Sequence, residues 1–187
     1  MRIISGIYKG RQISPVEGLT ARPTTDFIRE VTFSTLYSLN HDLHQVLDLY
    51  AGSGLFGFEA LSRGASQVTF VDASKKAVST MINNAKMLNC LDRCQIVNKK
   101  VDVFLPKVGI GPYDIIFLDP PYDKGLVNIT LDLIFTHHLL TAEGLIVVEH
   151  ARKEEMDPRY RNLVVKNKVH GHTVITIMQK KTKMPAV

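Results

Sequence analysis

Between residues 45 and 149 the chain alternates short apolar runs with longer amphipathic stretches, and this rhythm predicts strands and helices in turn. Residues 45–49, 67–71, 94–98, 113–118 and 145–149 read as five buried strands. Helices are predicted between them over 56–63, 74–88, 102–108 and 126–138. Gly64 stops the first, and Ala77, Met81, Ala85 and Leu88 form one face of the second. Ahead of this series, alternating stretches at 2–7 and 11–14 flank Tyr8-Lys9-Gly10 and predict a β-hairpin. A loop with Pro15, Gly18 and Pro23 then leads into a helix, capped by Thr24 or Thr25 and reaching Leu39. Phe27, Val31, Leu36 and Leu39 are its expected inward face. Residues 162–169 and 173–179 predict a closing hairpin around Gly171. Strands and helices in strict turn, joined by short connections, imply an α/β fold with a mostly parallel sheet covered on both faces. The closing hairpin adds an antiparallel pair and brings the count to seven strands. No repeat, low-complexity segment or linker divides the chain, so one domain over 1–187 is expected, with 1–23 as an N-terminal hairpin extension.

Composition narrows the class. The 187 residues, 45% hydrophobic and 22% charged, suffice for one hydrophobic core. No apolar run reaches the roughly 20 residues that span a bilayer. The N-terminus lacks an apolar stretch before a small-residue cleavage site, so a cytoplasmic protein without a membrane partner is expected. Cys90 and Cys94 have no further ligands at metal-site spacing. They read as reduced thiols around a helix-to-strand turn, and no metal is expected. The net charge of +5 is unevenly placed. Residues 1–29 carry five basic and two acidic side chains, and 166–187 carry five lysines and no acid. The middle carries 13 basic and 16 acidic residues. Basic ends around an acidic middle suit a polyanion partner, although lysines at a chain end are also ordinary solvated charge.

The stretch Asp48-Leu49-Tyr50-Ala51-Gly52-Ser53-Gly54-Leu55-Phe56-Gly57 joins the first strand of the series to its helix. Gly52, Gly54 and Gly57 keep G-x-G-x-x-G spacing, and Asp72 follows Gly52 by 20 residues, after the next strand. The glycines permit a tight turn and close approach of a ligand to the backbone. Asp72, with Ala73 beside it, can accept from both ribose hydroxyls of an adenosine. A ligand-free turn uses the same glycines, but the strand–loop–helix setting and Asp72 favour a nucleoside. Asp48 discriminates among adenosine cofactors. A carboxylate there repels the pyrophosphate of a dinucleotide and suits the cationic sulfonium and ammonium of S-adenosylmethionine. The expected cofactor contacts are Asp48, Tyr50, Ala51, Gly52, Ser53, Gly54, Gly57, Asp72 and Ala73. Asp102, after the third strand, is placed to accept from an adenine amino group with the Val103 backbone beside it; it could equally cap the following helix.

Asp119-Pro120-Pro121-Tyr122 follows the fourth strand, and in an open α/β sheet ligands bind beyond the carboxyl ends of the strands. An exocyclic amine of a nucleic-acid base is a weak nucleophile because its lone pair is delocalised into the ring. Two acceptors that take its two N–H groups rotate and pyramidalise it, freeing that lone pair. Asp119 offers one acceptor, and the Pro120 carbonyl the other. Pro121 restricts Pro120, so the carbonyl is held rigidly. Tyr122 offers a flat face to an unpaired or flipped base. Asp119 is expected both to orient the amine and to border the cofactor.

These motifs resemble the class I methyltransferases that carry a D-P-P-Y amino-methylation motif. Met1-Arg2-Ile3-Ile4-Ser5-Gly6 with Lys9-Gly10, and Arg22-Pro23-Thr24-Thr25-Asp26 with Arg29-Glu30, more specifically resemble the RsmD family of bacterial small-subunit ribosomal RNA (guanine-N2) methyltransferases. The resemblance covers nearly the whole chain. It implies a Rossmann-like class I methyltransferase fold, S-adenosylmethionine as cofactor, and guanine N2 of ribosomal RNA as target. It also implies a small-subunit assembly particle as partner, and Arg22 and Thr24 near the cofactor cleft. Asp72 departs from the pattern, since glutamate is commoner there. Independently of family, little chain remains for a separate recognition domain, so loops and hairpin ends must read a structured RNA. Arg2, Lys9, Arg11 and Arg22 are the candidate phosphate contacts. Three other readings stay compatible with the residues: a DNA adenine-N6 methyltransferase, a dinucleotide-dependent oxidoreductase, and a non-catalytic RNA-binding module.

Overall fold

The computed structural model describes residues 1–18, 26–39, 43–107, 109–122 and 124–179. Its elements run α1 (Asp26–Ser38), β1 (Gln45–Leu49), α2 (Leu55–Ser62), β2 (Gln67–Asp72), α3 (Lys75–Met87) and β3 (Cys94–Asn98). They continue α4 (Val101–Phe104), β4 (Tyr113–Leu118), α5 (Leu126–Thr136), β5 (Leu140–Ala151), β6 (Val164–His170) and β7 (Thr173–Gln179). The seven strands form one sheet in the order β3-β2-β1-β4-β5-β7-β6. β1 to β5 pair in parallel, β7 is antiparallel to β5, and β6 is antiparallel to β7.

The two sheet faces bury two separate cores. Successive residues of a strand point to opposite faces, so Val46 joins one cluster while Leu47 and Leu49 join the other. The first cluster takes Phe33 of α1, Phe58 of α2 and Met81 of α3. The second takes Phe104 of α4 with Val127, Leu131 and Ile134 of α5. Strands covered on both sides need near-continuous apolar runs, which is how β1 and β4 read in the sequence. Ser74 caps α3, its side chain accepting from Ala77 N at 3.4 Å, and Leu88 closes the helix, as the pattern predicts.

Three expectations are corrected, and a fourth is met in a shorter form. The N-terminal segment doubles back as expected, with Arg2 bridged to Gln12, Ile3 N donating to the Arg11 carbonyl at 3.0 Å and Ile13 N to the Met1 carbonyl at 2.7 Å, and its turn is bonded to α2 as well. Ile7 N donates to the Ser62 carbonyl at 2.8 Å, and Tyr8 N to Ser62 Oγ at 2.9 Å. The inward face of α1 is Ile28, Arg29, Thr32, Phe33 and Leu36. Phe27 is instead 55% exposed and Leu39 39%. β5 is 12 residues long, beginning at Leu140, well before the apolar run that signalled it. The helix expected over 102–108 is the short α4, and Asp102 sits in its first turn while Lys100 occupies the cap position. The predicted caps Thr24 and Thr25 lie outside the described residues. Cys90 and Cys94 flank a short 3-10 turn as free thiols, with Sγ atoms 4.0 Å apart.

Candidate active site

The pairing register aligns the carboxyl ends of five strands. Asp72 pairs with Asn98, Leu49 with Val71 and with Leu118, and Leu118 with Val148. The next residue on each strand therefore forms a row: Asn98, Asp72, Tyr50, Asp119, Glu149. Three of these five carry carboxylates, and Asp48 lies two positions before Tyr50.

The glycine-rich turn begins this site. Tyr50 adopts φ 57°, Gly52 φ 56° and Gly54 φ 80°. The left-handed region is costly for Tyr50 and free for glycine. Gly54 N donates to the Ala51 carbonyl at 2.7 Å, closing the turn. Gly57 serves packing: a Cβ there would fall 2.2 Å from the Phe70 ring, so its absence lets α2 lie close on β2. Asp72 anchors the turn, with Oδ2 accepting from Gly52 N at 2.9 Å and Oδ1 from Ser74 N at 2.7 Å. Each of these oxygens keeps a second lone pair for a ribose hydroxyl. Asn98 Nδ2 donates to the carbonyls of Asp72 and Ala73, both at 3.0 Å, and so steadies this edge. Asn98 escaped the sequence reading; its only signal is its place at the end of a strand.

Asp48 is buried at 3% exposure, and its Oδ2 accepts from Gly57 N in the first turn of α2 at 2.9 Å. Burial drives its carboxyl up to about 8; the Gly57 bond opposes this and the Asp72 charge adds to it. Asp119 retains some open surface at the cleft, with Pro120 buried behind it and Pro121 exposed. Its carboxyl is raised well above the ordinary range, by burial first and then by the charges of Glu149 and Asp48. Tyr122 donates to Glu149 Oε1 at 3.3 Å and lies 3.1 Å from Thr173 Oγ1. Its phenol is pushed up to about 12, mainly by burial, so it stays a protonated donor. The hydroxyl end of Tyr122 is thus tied to β5 and β7. Glu149 is a second residue that sequence reading missed. It ends an apolar run, and only the β4–β5 register sets it beside Asp119.

Tyr50 is held by a 2.9 Å contact between its hydroxyl and Thr130 Oγ1 on α5. Asp102 and Val103 are exposed on α4, beyond the end of β3. Ala51, Ser53 and Ala73 belong to the turns that the row brings together. Arg22 and Thr24 lie outside the described residues. Of the expected phosphate contacts, Arg2 pairs with Asp26 at 3.0 Å while its side chain stays 65% exposed. Arg11 donates to the Met87 carbonyl at 2.7 Å, clasping the end of α3. Lys9 is exposed at the tip of the turn.

The cluster fits a cationic adenosine cofactor. Clustered carboxylates, with the proton affinities of Asp48 and Asp119 raised, beside a backbone turn of left-handed glycines, favour positive charge and admit a nucleoside close to the main chain. Among the described residues no group of histidine, cysteine and carboxylate side chains is arranged to hold a metal ion. Among them, too, no helix is long and apolar enough to cross a membrane.

Comparison with known proteins agrees with this geometry. A family model described as Conserved hypothetical protein 95 matches residues 1–179. The Bacillus subtilis protein YlbH is 37% identical over 184 residues, covering 97% of this chain and 100% of that protein. The Haemophilus influenzae protein named Ribosomal RNA small subunit methyltransferase D is 32% identical over 173 residues, 91% of this chain and 89% of that one. The solved structure of Escherichia coli yhhF matches with TM-score 0.84 at 34% identity, covering 98% of this chain and 99% of that one. The carboxylate row, the glycine turn and the Asp-Pro-Pro-Tyr segment thus occur in a chain that belongs to the RsmD family of class I S-adenosylmethionine-dependent methyltransferases.

Proposed function

We propose that this protein methylates the exocyclic N2 amine of a guanine in small-subunit ribosomal RNA, acting on an assembly particle. The carrying observation is the placement of Asp119 and Pro120 at the carboxyl end of β4, between the glycine turn and Glu149. The ribosomal RNA and small-subunit terms rest on what the Haemophilus influenzae relative is named for. The choice of guanine N2 rests on the family resemblance.

When bound, S-adenosylmethionine supplies an electrophilic methyl group on a cationic sulfur. The residues do the rest by positioning. Asp48 and Asp119 provide negative charge where that cation must lie. Asp72 takes the ribose hydroxyls, and Tyr50, Ala51, Gly52, Ser53 and Gly54 form the floor. Asp119 Oδ and the Pro120 carbonyl each accept one N–H of the target amine, which turns its lone pair toward the methyl group. As the N–C bond forms the methyl–sulfur bond would break, leaving a neutral thioether, and the amine loses one proton, which Asp119, already accepting one of its N–H groups, is placed to take. Tyr122, held through Glu149 and Thr173, presents its ring to the flipped base.

Methyl transfer from labelled S-adenosylmethionine to ribosomal particles, naked ribosomal RNA and DNA, followed by nucleoside mapping, tests the proposal. N2-methylguanosine from particles is expected. Label recovered solely as N6-methyladenine in DNA would replace this reading with DNA adenine methylation.

A further inference from the structure

A groove of about 670 Å³ lies between α1 and the edge strand β6, lined by Phe27, Val31, Lys166 and Lys168. Its inner end continues past Phe27, Lys168 and His170 to Thr173. Three observations define what it can hold. First, it carries an aromatic pair at the surface: the Phe27 and His170 rings are 4.9 Å apart and tilted by 37°, and Phe27 is 55% exposed. Second, it is basic on one wall. Lys166, Lys168 and His170 occupy alternate positions of β6 and so share a face, and residues 164–170 contain no acid. Glu30 on α1 contributes one negative charge to the opposite rim. Third, it is continuous with the candidate site. His170 pairs with Thr173, whose Oγ1 lies 3.1 Å from the Tyr122 hydroxyl.

An aromatic platform followed by evenly spaced cations is the chemistry of an unpaired nucleic-acid strand. Bases stack on the rings, and the backbone runs along the lysines. We infer that the α1–β6 groove is a second RNA-contact surface, holding the single-stranded nucleotides adjacent to the base that enters the Asp119 cleft. This rests on the proposed RNA substrate and adds to it where the flanking strand runs. It moves the main contact away from the N-terminal turn, where Arg2 and Arg11 already have partners within the chain. It also accounts for the outward Phe27 and Val31, which pack into neither core cluster.

The test uses the full chain, with Phe27→Ala and the double variant Lys166→Gln/Lys168→Gln. For Phe27→Ala, the KM for the RNA substrate is expected to rise about 5- to 150-fold, the scale for losing one base–aromatic stack. The lysine pair should flatten the dependence of log affinity on log salt by about 1.4, from roughly 0.7 per phosphate contact on a single strand. S-adenosylmethionine affinity, measured by titration without RNA, should match wild type in every variant. In a third arm, Phe27→p-benzoylphenylalanine should photo-cross-link to RNA within a few nucleotides of the methylated base. Unchanged RNA KM and salt slope, in a wild type that methylates ribosomal RNA, overturn the groove inference and leave the proposed function standing. A cross-link to a ribosomal protein alone assigns the groove to a protein partner and also overturns it. Self-association of the lysine variant with normal RNA affinity does the same, because edge-strand lysines would then serve only to block sheet-to-sheet pairing. A wild type that methylates no RNA overturns both.

Discussion

Glu59 on α2 and Asp48 on β1 are both buried carboxylates, yet their surroundings are opposite. Glu59, fully buried, accepts from Ile4 N at 2.8 Å and Ser5 N at 3.1 Å, and pairs with Arg29 at 3.4 Å and Arg63 at 2.7 Å. Arg29, also fully buried, donates further to the Arg2 carbonyl at 2.8 Å and to Asp26 at 2.6 Å. This cluster fastens the N-terminal segment and α1 onto α2. Asp48 accepts one backbone hydrogen bond, from Gly57, and faces the charges of Asp72 and Asp119. Among the described residues, no arginine or lysine ion pair reaches Asp48, Asp72 or Asp119. Buried charge that is met by opposite charge and hydrogen bonds holds structure together. Buried charge crowded by its own sign stores a preference for a cation, and that preference is what a cationic cofactor uses.

The sharpest way to break the comparison is to remove one member of each cluster and ask which property fails. Glu59→Ala leaves the buried Arg29 with the half-exposed Asp26 as its remaining ion-pair partner among the described residues and takes the acceptor from Ile4 N and Ser5 N, so unfolding stability should drop by about 3–5 kcal/mol. Denaturant or thermal unfolding measures this, and a drop below 1 kcal/mol would mean that the cluster is not structural. Asp119→Ala should do the reverse. Methyl transfer should fall on the order of 100- to 1000-fold, as for loss of one preorganised polar group at a reacting centre. Stability should change little, and S-adenosylmethionine affinity should fall far less than turnover, since Asp48 still faces the cofactor's cation; near-wild-type turnover would remove Asp119 from the chemistry. Asp72→Ala should weaken cofactor binding by about 1–3 kcal/mol, the scale for losing a buried hydrogen-bond partner. Calorimetric titration reads it directly, and an unchanged dissociation constant would place Asp72 outside the site.

The smallest effect is the pH dependence of Asp48. Its folded value of about 8 lies above the ordinary carboxylate value near 3.9. The folded, ligand-free protein therefore binds the extra proton. Asp48's contribution to stability is fully present below about pH 3.9 and declines as pH rises through about 8. A cationic ligand favours the ionised form, so its binding runs the other way. S-adenosylmethionine affinity should increase between pH 6 and 8, by at most about tenfold per unit for one proton, and level off above. Asp48→Asn should flatten that slope. A slope that survives the substitution would assign the proton to Asp119 or Glu149 instead.

Much of this frame was legible before any coordinates. β1 and β4 occupy their predicted ranges because strands buried on both faces tolerate little but apolar runs, and β3 and β7 coincide with theirs as well. The glycine turn and the Asp-Pro-Pro-Tyr segment were legible for a different reason: their residue types are needed by local backbone geometry and by the chemistry together. The inward face of α1 was not. Arg29 lies inside because Glu59 and Asp26 meet it there, and Phe27 lies outside because β6 leaves a groove beside it. Helical periodicity registers neither fact, since it counts apolar residues and not their neighbours.

The sequence by itself determined the alternation of elements, the turn that can admit a nucleoside, and the reaction class that Asp119-Pro120-Pro121-Tyr122 can serve. These depend on residues close together in the chain. Tertiary structure alone decided that Asn98, Asp72, Tyr50, Asp119 and Glu149 form one row, because strand register joins positions up to 99 residues apart. It likewise decided which buried carboxylates found cations and which found one another. That distinction separates the clasp from the cleft, and it depends on the distances between charges, which no local pattern encodes.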